Sequence, residues 1–338
     1  MFGDERLMSI CLEEAWKYQT LTLPNPAVGA MVVEKNTEVL SVCAHTKSGT
    51  AHAEVNALKV AYEKLSNQVC PAKTSNDIHY FLAKNHRGIF KDCSLYVTLE
   101  PCNHYGKTPP CAELLEIIRP KRVIVGAMER QAEAFGGAKR LLNAGIEVRL
   151  GILEKECNAM LYPFLCQKEN GRFNLFKIAQ RLNGDYKSGI ISGLSSREFT
   201  HNQRSVANAL IVSGATLRED RPTLDSRYAL KDYGKKAPNV RILTSQSEFD
   251  LDIPLFSVPD REVKICHSIS DLGLESGFNI IEGGWRLFKS LNSQIDMVLV
   301  HFSPTLKMGV HSAGFEWGGE LLYTQKLEND ALLWIKRC

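Results

Sequence analysis

The chain has 338 residues, 44% of them hydrophobic and 23% charged, with a net charge of +3. That length suits two domains better than one, and the composition can bury a core in each. It excludes a disordered polar chain, the weak unclustered charge argues against nucleic acid as a partner, and no run approaches the roughly 18 apolar residues of a membrane span.

The opening Met1-Phe2-Gly3-Asp4-Glu5-Arg6 has early acidic residues and no long apolar core, unlike a secretory signal. The cysteines are scattered over a long chain, so the expectation is reduced thiols in a cytoplasmic enzyme. Leu7, Ile10, Cys11 and Trp16 predict a helix over 5–18, and a turn-rich stretch then leads into a strand at 28–33. Residues 52–65 place Val55, Leu58, Ala61 and Leu65 on one face of a helix. Residues 66–93 make a connection that is long for a compact domain, with a short strand or helix at 78–83. Then come a strand at 95–99, a helix starting at the prolines of 109–110 and running to 118, and a buried strand at 122–128. A helix over 134–143, stopped by Gly145, and a strand at 146–150 complete a layered α/β domain over 1–150. Residues 151–171 read as a linker, a short polar helix at 154–161 followed by a polar stretch. Strand-like runs at 173–179, 209–212, 240–243, 263–266, 278–281 and 297–300 argue a second α/β domain over 172–338.

Within this frame, Thr50-Ala51-His52-Ala53-Glu54-Val55, Glu100-Pro101-Cys102 and Pro109-Pro110-Cys111 supply one imidazole, two thiols and a carboxylate two residues past the imidazole. Zinc takes nitrogen and sulfur ligands tetrahedrally, and a catalytic site keeps its fourth position for water. Zinc deaminases of nucleobases use His-x-Glu, then Pro-Cys and a second Cys, with the Glu carrying protons rather than binding metal. His52 and Glu54 fall in the first turn of one predicted helix, and Cys111 starts another, where the helix dipole favours a thiolate. His52, Cys102 and Cys111 are therefore the expected zinc ligands and Glu54 the expected general acid/base. Singly, each is more often structural; jointly, the pattern outweighs that reading. The other cysteines, Cys11, Cys43, Cys70, Cys93, Cys157, Cys166, Cys266 and Cys338, read as structural. The signature's short gap between its cysteines becomes Asn103-His104-Tyr105-Gly106-Lys107-Thr108-Pro109-Pro110, a loop whose His104 and Lys107 look placed for substrate.

Pro24-Asn25-Pro26-Ala27-Val28-Gly29, His52-Ala53-Glu54-Val55 and the run from Thr98 through Cys102 to Cys111 resemble the bifunctional riboflavin-biosynthesis pyrimidine deaminase/reductase family. The long loop between the cysteines separates that family from cytidine, guanine and tRNA-adenosine deaminases. The resemblance implies an α/β chain: an N-terminal cytidine-deaminase-like three-layer α/β/α domain and a C-terminal dihydrofolate-reductase-like α/β domain. It implies that Asn25 binds a pyrimidine beside zinc and that His45, His104 and Lys107 contact the same substrate. The link over 66–93 is shorter in the family, so it looks like an insertion. The family's Asp-Pro-Asn-Pro turn is here Glu129-Arg130-Gln131-Ala132, so its pyrimidine contact is lost or supplied differently.

In the second half, Glu282-Gly283-Gly284 joins a strand to a helix, where glycines either admit a phosphate or simply make a tight turn. The run from Gly214 to Arg227 resembles the family's segment for nicotinamide cofactor and sugar phosphate. The resemblance implies Ala179, Thr216, Asp220, Ser245, Gly283 and Gly284 on NADPH. It implies Lys177, Ser195, Arg204, Arg227 and Glu282 on the substrate, the arginines suiting its phosphate. Two departures stand out: Arg181-Leu182-Asn183-Gly184 replaces Ser-Leu-Asp-Gly, and the stretch around Ser195 lacks the usual tryptophan. The implied activity is zinc-dependent deamination of 2,5-diamino-6-(5-phosphoribosylamino)pyrimidin-4-one, then NADPH-dependent reduction of its ribosyl to a ribityl chain. The alternatives are a deaminase with a degenerate reductase domain, or a nucleic-acid deaminase, which calls for a basic aromatic-lined surface. The expected partners are the phosphoribosylated pyrimidine and NADPH, with no nucleic acid and no membrane; a homo-oligomer is left open.

Overall fold

The computed structural model of the chain describes residues 3–187, 189–246, 248–308 and 313–338. It divides into two compact units, Met1–Tyr162 and Pro163–Cys338, each with its own sheet. Among the described residues no helix is long and apolar enough to cross a membrane.

The first unit runs α1 (Asp4–Trp16), β1 (Gly29–Glu34), β2 (Glu38–Ala44), α2 (Ala53–Ser66), α3 (Ser75–Asn85), β3 (Cys93–Leu99), α4 (Cys111–Ile118), β4 (Arg122–Ala127), α5 (Gly137–Asn143) and β5 (Glu147–Arg149). Its strands lie in the order β2-β1-β3-β4-β5, antiparallel from β2 to β3 and parallel from β3 to β5. β3 and β4 are buried along their whole length, as central strands covered on both faces must be. Leu7, Met8, Cys11, Leu12, Ala15 and Trp16 form the buried stripe of α1. Gly29 lets β1 approach it, because a Cβ there would run into the Cys11 carbonyl. The stretch at 78–83 is settled as helix: the Thr74 hydroxyl accepts the Asp77 amide at 3.2 Å and caps α3.

α6 (Glu154–Asn170) is one continuous helix where a short helix and a polar join were expected. The boundary between the units falls inside it, at Pro163. A proline removes one helical hydrogen bond, yet the helix continues through it.

The second unit continues with β6 (Arg172–Arg181), α7 (Leu194–Val206), β7 (Ala209–Ser213), α8 (Gly214–Asp220), β8 (Asn239–Leu243), β9 (Val263–Cys266), β10 (Gly277–Glu282), α9 (Trp285–Leu291), β11 (Met297–Ser303), β12 (Gly319–Leu327) and β13 (Asp330–Arg337). The sheet order is β12-β13-β11-β6-β10-β7-β8-β9. Neighbours from β11 to β9 are parallel, and β13 and β12 add an antiparallel ribbon. On one face Phe176, Ile178, Ile281, Val298 and Val300 meet Leu287, Phe288 and Leu291 of α9. Strand alternation sends Lys177, Ala179, Glu282 and His301 to the other face. The register sets Lys177 beside Glu282 and Ala179 beside His301, toward the carboxyl ends of parallel strands, where open α/β sheets bind ligands.

Candidate metal centre and second site

His52 is the extended residue that caps α2, and Glu54 lies in the first turn behind it. Cys111 opens α4 directly after Pro110, and Cys102 follows β3. The sheet brings the three donors together, with their ligand atoms all within 4.8 Å of one another. His52 Nδ1 faces both sulfurs, 3.6 Å from Cys102 Sγ and 3.4 Å from Cys111 Sγ. A tetrahedral ion bonded to sulfur at about 2.3 Å and to nitrogen at about 2.0–2.1 Å holds such atoms roughly 3.6 Å apart. The set fits zinc and forms a zinc-binding triad.

The donor groups act strongly on one another's protons. The Cys111 thiol, and then His52, hold Cys102 down to about 4 in spite of its burial. The Cys111 backbone N–H adds a donor to the same sulfur at 3.4 Å. Cys111 is raised well above the usual thiol range by the Cys102 thiolate and by burial. Burial pushes the Glu54 carboxyl up to about 7, and the side chain is 4% exposed.

Asn25 and His45 are part of this neighbourhood. The His45 ring stands edge-on to His52, their centroids 5.5 Å apart. Its Nδ1 lies 3.1 Å from the Ala51 carbonyl, so that nitrogen carries the proton and Nε2 accepts from the Asn25 amide at 3.3 Å. Burial, then the neighbouring His52, lower His45 to about 4 and keep it neutral. His104 is half-buried and Lys107 exposed on the loop between the cysteines.

Two residues of the quoted motifs have roles that the sequence does not assign. The Thr108 hydroxyl lies 3.5 Å from His52 Nε2. The buried Glu100 carboxylate accepts the Glu129 amide at 3.1 Å and the Ala138 amide at 2.9 Å, partners far along the chain. The stretch that replaces the family's proline turn is thus tied to the motif strand through Glu129.

In the second unit, Arg204 of α7 grips Glu282 of β10 with two parallel bonds, Nε to Oε1 at 2.8 Å and Nη2 to Oε2 at 2.6 Å. Its Nη1 donates to the Asp225 carbonyl at 3.1 Å. Lys177 neighbours the pair; burial lowers its proton affinity, with Glu282 acting the other way. Burial alone would raise Glu282, but Arg204, with Lys177 and His201, pulls it to about 2. Arg227 is exposed, paired with Asp225 at 3.1 Å and lying over the Tyr228 ring. Thr216 sits in the first turn of α8, within 3.0 Å of the Ser213 hydroxyl, and Asp220 ends that helix, exposed. Ser195 is half-buried in the first turn of α7, and Ser245 is exposed just after β8. The glycine pair is closely packed: a Cβ on Gly283 would strike Leu287, and one on Gly284 would strike the Tyr186 ring.

The cytidine and deoxycytidylate deaminase zinc-binding region family matches residues 1–127. The chain is 31% identical over 262 residues to the riboflavin biosynthesis protein RibD of Synechocystis, covering 75% of this chain and 62% of that protein, under two thirds of its length. It is 29% identical over 340 residues to RibD of Aquifex aeolicus, covering 90% of this chain and 87% of that one. A diaminohydroxyphosphoribosylaminopyrimidine deaminase/5-amino-6-(5-phosphoribosylamino)uracil reductase from Thermotoga maritima shares the fold, with a TM-score of 0.64 at 24% identity over 99% of both chains. RibD of Acinetobacter baumannii matches with a TM-score of 0.63 at 25% identity over 98% of both chains.

Proposed function

We propose that the chain is a member of the bifunctional riboflavin-biosynthesis deaminase/reductase family, whose first unit deaminates 2,5-diamino-6-(5-phosphoribosylamino)pyrimidin-4-one and whose second reduces the product's ribosyl group with NADPH. The observation that carries the deaminase reading is the triad of His52, Cys102 and Cys111 with the buried Glu54 beside it. His52, Cys102 and Cys111 would hold zinc, which when bound would lower the pKa of a water and ready it as the nucleophile. Glu54 takes the proton from the attacking water and passes it to the ring nitrogen and the departing ammonia. A buried carboxyl two residues from His52 suits both transfers. Asn25 and His45 orient the pyrimidine, while His104 and Lys107 meet its phosphoribosyl end.

For the reductase, Lys177 and Glu282 attend the ribosyl carbon, with Ser195 on the substrate side. Arg204 and Arg227 take the phosphate, so Arg204 shares its guanidinium between Glu282 and ligand. Thr216 and Asp220 border the nicotinamide, with Ala179, Ser245, Gly283 and Gly284 along the cofactor. NADPH supplies the hydride, and the protein supplies orientation and charge.

Two assays test the two halves. With zinc retained, Glu54→Gln should release ammonia at least about 100-fold more slowly than the parent; a normal rate ends the deaminase reading. Supplied with deaminated substrate, the parent should consume NADPH absorbance in a manner dependent on Asp220. A parent that consumes none is a deaminase with a retired second unit.

A further inference from the structure

The long connection over 66–93 has a structural purpose that its sequence does not announce. α3 packs against α2 and α4, the helices that begin beside His52 and at Cys111. It is held there by the buried Ile78, His79 and Leu82, and by Phe81 standing edge-on to Tyr62 of α2 at 5.3 Å. The lead-in is pinned as well: Lys59 Nζ donates to the Ala72 carbonyl at 3.3 Å, and Glu63 accepts the Cys70 amide at 3.0 Å. From this seat Tyr80 reaches Tyr105, with the two hydroxyls 2.7 Å apart.

Tyr105 lies at the crown of the loop between the zinc cysteines. The loop's ends are fixed: the Asn103 amide donates to the Ala134 carbonyl, Arg140 holds the Asn103 side chain, and Thr108 meets His52. The crown itself, Tyr105, Gly106 and Lys107, is exposed, and Tyr105 ties it to another element.

We propose that α3 is a specificity element of the deaminase site: Tyr80 holds Tyr105, and through it the loop crown, in the conformation that presents His104 and Lys107 to the anionic phosphoribosyl end of the substrate. Tyr80 is a positioning residue that acts through Tyr105. A crown fixed beforehand loses less freedom when the substrate arrives, so the gain falls on binding rather than on the bond-breaking step. The inference rests on the deaminase reading above.

The test compares Tyr80→Phe, Tyr105→Phe and the double variant, using the phosphorylated substrate and its dephosphorylated counterpart, with zinc content measured in each. Losing one hydrogen bond of ordinary strength should raise KM for the phosphorylated substrate about 5-fold. The kcat, the zinc content and the kinetics on the dephosphorylated compound should stay within about twofold. The double variant should match the singles, since all three lose the same bond. An unchanged KM, an equal rise on both substrates, or additive singles would overturn the proposal. Should the parent release ammonia from neither substrate, the deaminase reading is what fails. Amide hydrogen exchange over 103–108 then judges the brace alone: faster exchange in Tyr80→Phe supports it and unchanged exchange removes it.

Discussion

Glu100 is 2% exposed, and both its carboxylate oxygens serve backbone amides. α5 begins at Gly137 and has no side-chain cap from Gly136, so Glu100 caps it from another segment while tethering the turn after β4. Glu100→Gln would set an amide N–H against one of those donors and cost about 1–3 kcal/mol. We expect faster hydrogen exchange at the Glu129 and Ala138 amides and a lower melting temperature; native exchange at both would contradict this role. At this scale the chemistry-bearing types were legible. A histidine, two cysteines and a glutamate at family spacing announce a metal. The supporting contacts of Glu100 and Thr108 were not, because nothing in a linear chain shows which distant amide or ring a polar side chain will meet. The pairing of Arg204 with Glu282 is of the same kind, and each was assigned to substrate without its partner.

Elements set the position of the centre as much as its ligands do. α5 approaches the segment carrying Cys102 so closely that a Cβ on Gly137 would collide with the Pro101 carbonyl. Gly137→Ala should therefore shift Cys102 and weaken zinc retention by about 10-fold or more, since displaced supports commonly cost that much in metal affinity. Metal content after dialysis against a weak chelator reads this out, and full retention would show that α5 yields instead. The elements with strong apolar patterns, β1, β3, β4 and β6 to β11, were visible in the sequence. α7 was not, because its buried face is largely polar, with Ser196, Thr200, His201, Asn202 and Gln203 turned inward and no apolar stripe to betray a helix. β2, β12 and β13 were missed as well. The outer strand β12 keeps mixed exposure and offers no clean alternation.

Across the whole molecule, buried ionisable groups make the second unit sensitive to acid. Burial, then Arg204, lowers His201 to about 4, and burial with Lys177 nearby takes the fully buried His301 well below its ordinary value. Unfolded imidazoles take up protons as pH falls through about 6.5. The folded His201 resists until about 4, so over that window the unfolded state binds more protons and stability falls with pH. Glu282 acts in the same direction lower down: its pairing contributes fully above the ordinary carboxyl range and is lost as pH falls through about 2. Urea midpoints followed from pH 7 to 4.5 should decline. A His201→Gln/His301→Leu variant should show a slope shallower by up to about 1.4 kcal/mol per pH unit for each imidazole removed. Identical slopes would contradict the assignment.

The donors of the metal centre come from a helix cap, a strand exit and a helix start, each anchored by the sheet and its covering layers. In small zinc modules the ion is the nucleus of the fold, and chelation unravels them. Here the scaffold is assembled by apolar layers that owe nothing to coordination, so uptake of the ion is a loading event. A chain deprived of the ion should keep its fold and take the ion up again.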